Sequence, residues 1–314
     1  MRRAYDGTSR ERPLAPLGGS VPPAPRGRRA YGSAMAAQRF EVEVPGGTLV
    51  GTVTGDGPPV LLLHGGPGLN GDYLDELVPE LSDAYRVAWY QQRGLEPSTA
   101  REPYNVAVQV ADVGRVLDAL GWDTAVVVGH SWGGHLLINV LADLPERLAA
   151  AVVVDPLGGV GDGGTAEFEA QMSARTPEPN RVRAEELDRR AMAGEGTPEE
   201  GLESLRLVWP AYFADPAAAP DAPADLRMSI DAYSATWASV QQGLPGLAAR
   251  LAGCPIPVVF VHGAESPMPL TASTDTAAAL GENASVVVVS VTGHFIWHES
   301  PGAVRAALDS LLTR

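Results

Sequence analysis

The chain has 314 residues, 45% hydrophobic and 19% charged, enough to bury a full core and ordinary for a globular protein. Its net charge is −15, spread unevenly: residues 1–39 carry eight arginines against Asp6 and Glu11, so the remainder carries −21, and an acidic body argues against a nucleic-acid partner. No apolar run approaches the roughly eighteen residues that span a bilayer, and one cysteine, Cys254, excludes an internal disulfide framework and fits a reducing, cytoplasmic compartment.

Residues 1–38 read as a disordered Arg/Pro/Gly-rich tail. It has no apolar core of a secretory signal, its prolines oppose an amphipathic transit helix, and Met35 makes it readable as an over-long start. Then RFEVEV (39–44) and TLVGTV (48–53), joined through Pro45-Gly46-Gly47, predict a hairpin. Short apolar runs follow at 59–64, 85–90, 124–129, 150–155, 257–262 and 284–290. Uniformly apolar strands alternating with helical stretches (71–82, 104–120, 132–143, 271–280, 301–313) predict an α/β fold with a mostly parallel sheet covered on both faces. The rhythm breaks over 157–250, which has no clear strand and contains Phe168, Trp209, Tyr212, Phe213, Tyr233 and Trp237. This stretch reads as a helical cap, or lid, inserted into a core made of 39–156 and 251–314.

Three motifs carry chemistry. TAVVVGHSWGGH holds G-x-S-x-G as Gly129-His130-Ser131-Trp132-Gly133, between a predicted strand and a predicted helix. A turn that tight needs glycines beside the residue it exposes, so Ser131 is the candidate nucleophile; the plain alternative is a glycine turn with a helix-capping serine. LLLHGGPG (61–68) puts a glycine-rich loop after another strand. The N–H groups of Gly66 and Trp132 are the expected oxyanion donors, and a phosphate cradle is disfavoured because the chain has no lysine.

His294, in VTGHFIWHE, follows the last strand and is the candidate base, favoured over a structural role and over a metal pair with His298 at i, i+4. The third member is a carboxylate. Glu265, just past the strand 257–262, is favoured on loop position; Asp155, ending AAVVVD, is the alternative, and Asp275 reads as a solvated helical residue.

These residues together resemble the α/β-hydrolase superfamily, and within it the proline iminopeptidase-like group, over residues 40–314. HGGPG (64–68) agrees fully, and YQQRGLEPS (90–98) is similar to that group's D-Q-R-G-x-G-x-S, departing at Gln91 and Glu96. The elbow has His130 where those peptidases have glycine, and their acid loop G-x-x-D would place the acid at position 266, which is Ser266 here.

The resemblance implies an eight-stranded α/β-hydrolase fold and a serine hydrolase of esterase or aminopeptidase type. Such an enzyme acts on a small ester or amide through an acyl-enzyme and needs neither metal nor organic cofactor. The expected partner is a small-molecule substrate, with no nucleic acid and no membrane. Ser131 opposes epoxide hydrolases and haloalkane dehalogenases, which need a carboxylate nucleophile there. A carbon–carbon bond hydrolase and a non-catalytic binding homologue of the same fold remain open.

Overall fold

The computed structural model describes residues 37–312. The expected tail, apart from its last two residues, lies outside them.

Eight strands form one sheet: β1 (Gln38–Val44), β2 (Gly47–Thr54), β3 (Pro59–Leu63), β4 (Arg86–Gln91), β5 (Ala125–His130), β6 (Leu148–Val154), β7 (Val258–Gly263) and β8 (Ala284–Val289). Their order is β1-β2-β4-β3-β5-β6-β7-β8. The β1–β2 hairpin and the β2–β4 pair are antiparallel; every other pair is parallel. Each predicted strand lies within about two residues of its observed counterpart, a margin set by fraying at element ends.

The inner strands β3 to β7 are largely apolar because both faces are covered, with side chains alternating between them, whereas the edge strands β1 and β8 keep exposed residues. Val60, Leu62, Val126, Val128, Val152, Val154, Val259 and Val261 pack on one side with Leu74, Leu77 and Leu81 and with α10 (Ala303–Leu312). Leu61, Leu63, Val127, Ala151, Val153 and Phe260 face the other. They meet α2 (Val106–Ala119), α3 (Trp132–Asp143) and α8 (Leu270–Leu280). The helix expected over 71–82 is broken into a 3₁₀ turn, Asp72–Glu76, and the single turn α1 (Val78–Leu81). Pro79 fits in that first turn because no helical N–H is required there. α2 starts where Asn105 accepts a bond from the Val108 N–H at 2.9 Å.

Between β6 and β7 the chain is helical: α4 (Thr165–Arg175), α5 (Glu178–Met192), α6 (Pro198–Val208) and α7 (Ile230–Leu251). A capping box between Thr197 and Glu200 starts α6. α7 does not stop at the edge of the insertion. Its C-terminal half puts Leu244, Leu247 and Leu251 into the same buried cluster as Ile138 and Leu141 of α3, so this helix ties the insertion to the core. After β8 come the turn α9 (Ile296–Glu299) and α10. No described helix is long and apolar enough to cross a membrane.

Candidate active site

The carboxyl ends of β3, β5, β6 and β7 converge on one group of loops. At the end of β5 the backbone turns abruptly into α3: Ser131 has φ 55° and ψ −119°, a conformation that costs an L-residue energy and persists only where its surroundings impose it. Those surroundings are tight. The Ser131 N–H donates to the Val154 carbonyl (3.0 Å), its carbonyl accepts from the His135 N–H (3.1 Å), and a side chain at Gly133 would place its Cβ 2.1 Å from the Leu63 carbonyl. A Cβ on Gly65 would meet the Ser131 Cβ at 2.8 Å, so the glycine loop after β3 lies directly against the serine. Gly66 is left-handed there (φ 66°).

Gln92 ties the two candidate oxyanion loops together. Its Nε2 donates to the His64 carbonyl (3.0 Å), its Oε1 accepts from the Trp132 indole (2.8 Å), and its backbone N–H donates to His64 Nε2 (3.1 Å). Burial lowers the pKa of His64 to about 4, so this imidazole is neutral and able to accept.

His294 is buried in the loop between β8 and α9. Its Nδ1 lies 2.5 Å from Asp155 Oδ2, and the carboxylate that it meets is therefore not the one favoured from the sequence. Glu265 is exposed and takes part through its backbone: its N–H donates to Thr292, and its carbonyl accepts from Arg175 Nη1 at 2.5 Å. The reason lies in strand order. β6 and β7 are neighbours, and the Asp155 N–H still donates to Val261 (2.9 Å) before the backbone turns left-handed at φ 43°. The carboxylate, wholly buried, thereby sits under the histidine loop. Glu265, two residues beyond β7, is carried outward.

Asp155 is well supplied with donors: the Ser266 hydroxyl at 2.5 Å from Oδ2 and the Gly263 N–H at 3.2 Å from Oδ1. Burial raises its pKa to about 6, against His262, Ser266 and the Gly263 N–H, which favour the ionised form. Burial alone lowers that of His294 to about 3. The other histidine of the candidate metal pair goes elsewhere: His298 Nδ1 meets Glu76 at 3.2 Å near the surface. Among the described residues no group of three or more His, Cys, Asp or Glu side chains is placed to hold a metal.

Two residues carry no signal of this role in the motifs. The Gly65 N–H donates to the Tyr73 hydroxyl, which lies 2.9 Å from His130 Nδ1, while His130 Nε2 lies 3.1 Å from the His294 carbonyl. Only one orientation satisfies all three: Tyr73 donates to Nδ1, and Nε2–H donates to the carbonyl. His130, kept neutral by burial, thus joins the glycine loop, the serine turn and the histidine loop. His130 at least sits within the serine motif, but nothing in the sequence marks Tyr73. The insertion closes over the same loops. The His294 N–H donates to Tyr212 (2.8 Å), the Tyr212 ring lies 5.2 Å from the imidazole, and Arg175 donates to the Phe213 carbonyl.

Comparison with known proteins agrees with this architecture. A model described as alpha/beta hydrolase fold matches residues 58–301, and the chain belongs to that family. It is 28% identical over 292 residues to epoxide hydrolase A of Mycobacterium tuberculosis, covering 82% of this chain and 90% of that protein. A serine hydrolase-like protein of Danio rerio is 37% identical over 128 residues, but the match spans only 39% of each chain. Among solved structures, the 2-hydroxy-6-oxo-6-phenylhexa-2,4-dienoate hydrolase of Rhodococcus sp. strain RHA1 superposes with a TM-score of 0.62 at 22% identity, covering 89% of this chain and all of that one. An alpha/beta fold family hydrolase from Bacillus anthracis str. Sterne gives 0.67 at 16% identity, covering 89% and 100%. These two likenesses are of fold.

Proposed function

We propose that the protein is a serine hydrolase in which Ser131 attacks a carbonyl, His294 is the base and Asp155, not Glu265, is the acid. The observation that carries the reading is the left-handed serine at the β5–α3 turn, held in the same loop cluster as a buried His294–Asp155 contact of 2.5 Å. Asp155 accepts the Nδ1 hydrogen and so leaves the Nε2 lone pair free to take the Ser131 proton. The serine oxygen bonds to the carbonyl carbon, and the oxyanion is met by the N–H groups of Gly66 and Trp132. The leaving group departs with the proton from His294, and water, deprotonated by the same imidazole, releases the acyl group and restores Ser131. The N–H groups of Gly66 and Trp132 belong to loops already cross-linked by Gln92, so little reorganisation is needed as charge develops.

The substrate class is a small, partly apolar ester or amide, with the proline iminopeptidase-like activity as the finer reading. Support comes from the aromatic side chains that the helical insertion brings to the histidine loop: Trp209 stands beside Phe295 and Tyr212 beside His294, with Phe168 against Tyr212. A fluorophosphonate tests the reading whatever the natural substrate is, because it reacts with the activated serine itself. Rapid modification at Ser131, lost in His294→Ala, is the expected result, and an unlabelled but folded protein sinks it. Panels of prolyl amides, simple esters and vinylogous diketones then separate aminopeptidase, esterase and carbon–carbon bond hydrolase.

A further inference from the structure

The Asp155 carboxylate has two sides, and the proposed reaction uses one. On the other lies a second imidazole: His262, at the end of β7, has Nδ1 3.2 Å from Asp155 Oδ1. This ring is 2% exposed, and both its nitrogens are engaged. Nε2 lies 3.1 Å from the Met268 carbonyl, which only accepts, so Nε2 carries a hydrogen. Nδ1 also lies 3.0 Å from the Ser273 hydroxyl. Nδ1 thus faces the Ser273 hydroxyl and Asp155 Oδ1 at once, and the ring is held between the two.

We propose that His262 is a positioning residue for the reaction: it braces Asp155 from the side opposite His294 and sets the pH below which the site loses its carboxylate. The proposal rests on Asp155 being the acid. Geometry carries it, because the carboxylate is wholly buried and its Oδ1 faces only the His262 ring and the Gly263 N–H, each at 3.2 Å, among the described residues. The attraction of His262 is also the largest influence opposing the burial that pushes Asp155 upward. The other titratable or charged groups near the pair are His294 on Oδ2, His130 against the His294 ring at 4.6 Å, and Glu167, Arg175 and Glu265. These last three line, with His262, a cavity of about 400 Å³ beneath α4.

The experiment follows the rate of fluorophosphonate labelling, and kcat and KM on p-nitrophenyl butyrate, against pH in the intact chain. His262→Gln keeps a donor but cannot carry charge. It is expected to lower kcat about tenfold, since the imidazole 3.2 Å from the buried carboxylate is lost, with KM little changed. The acid limb of the profile moves to higher pH. Ser273→Ala removes the hydroxyl that shares Nδ1 with Asp155, leaves that side of the ring to the carboxylate, and moves the same limb to lower pH; it decides the matter alone if His262→Gln does not fold.

A residue that merely filled space would alter melting temperature and leave both limbs where they are. An unmoved limb in folded His262→Gln, or in Ser273→Ala, overturns the proposal. Asp155→Asn run in parallel separates the two claims: labelling that survives it refutes the acid assignment itself, whereas labelling lost in Asp155→Asn but unmoved limbs in the other variants refute only the role of His262.

Discussion

Asp112 and Asp155 are almost equally inaccessible, yet their surroundings differ in kind. Asp112, on α2, accepts from Arg93 Nε, from Arg93 Nη2 at 2.9 Å and from Arg115 at 2.9 Å, and Arg93 spends its remaining nitrogen on the Pro45 and Arg101 carbonyls. A guanidinium stays charged at any pH of interest, so this cluster is fixed, and it pins the loop after β4 to the β1–β2 hairpin. Asp155 has no guanidinium. Its partners are two imidazoles, one hydroxyl and one backbone N–H, and its pKa is pushed up to about 6. Two buried carboxylates thus differ in their surroundings: Asp112 is fixed by two guanidinium groups, whereas Asp155, the acid of the proposed triad, faces two imidazoles.

The largest effects break the comparison at the reactive end. Ser131→Ala should lower turnover by at least about 10³-fold and abolish fluorophosphonate labelling, with the melting curve nearly unmoved. Asp155→Asn should cost about 10²- to 10⁴-fold in kcat, because the amide can no longer hold His294 in the right tautomer, while Glu265→Gln stays within about twofold of the parent. Steady-state kinetics on one ester suffices, and the reverse ranking would return the acid to the loop after β7.

At the scaffold end the expected loss is of stability. Asp112→Asn leaves Arg93 buried without its counter-charge and should cost about 3–5 kcal/mol in urea unfolding, with activity per folded molecule retained. Replacing both partners, Arg93→Met with Asp112→Leu, should be far milder, since no charge is then stranded. Equal losses for the single and double variants would mean that the pair holds no special place.

Much of this is legible in the sequence because period and punctuation are local. Apolar runs of strand length mark the sheet, Gly129 and Gly133 bracket the serine, and Gly293 precedes the histidine in a loop. Asp155 reads as the weaker candidate there because counting residues past a strand gives no account of where the backbone bends. The left-handed turn at Asp155 belongs to the packed β6–β7 pair and has no signature in AAVVVD. One signal is present: a single carboxylate ending a wholly apolar run must be buried, and a buried carboxylate needs partners. Tyr73 is beyond reach for a related cause. Its link to His130 joins residues 57 apart in sequence through a contact that exists only once β3 and β5 pair.

A pH profile sharpens the comparison further. In the proposed mechanism the competent form has Asp155 ionised and His294 neutral. Burial disfavours charge on both groups, lowering His294 and raising Asp155, and across their 2.5 Å contact the proton taken up on acidification belongs to the pair. Activity should be half-lost near pH 6 and fall about tenfold per unit once well below, as for one essential ionisation. The loss should reverse on returning to neutral pH, which separates it from acid unfolding. Turnover that persisted to about pH 4.5 would mean that the hydroxyl, the backbone N–H and the two imidazoles together outweigh the cost of burying the charge. The difference between Asp155 and Asp112 would then lie only in what faces them, imidazoles in the one case and guanidinium groups in the other.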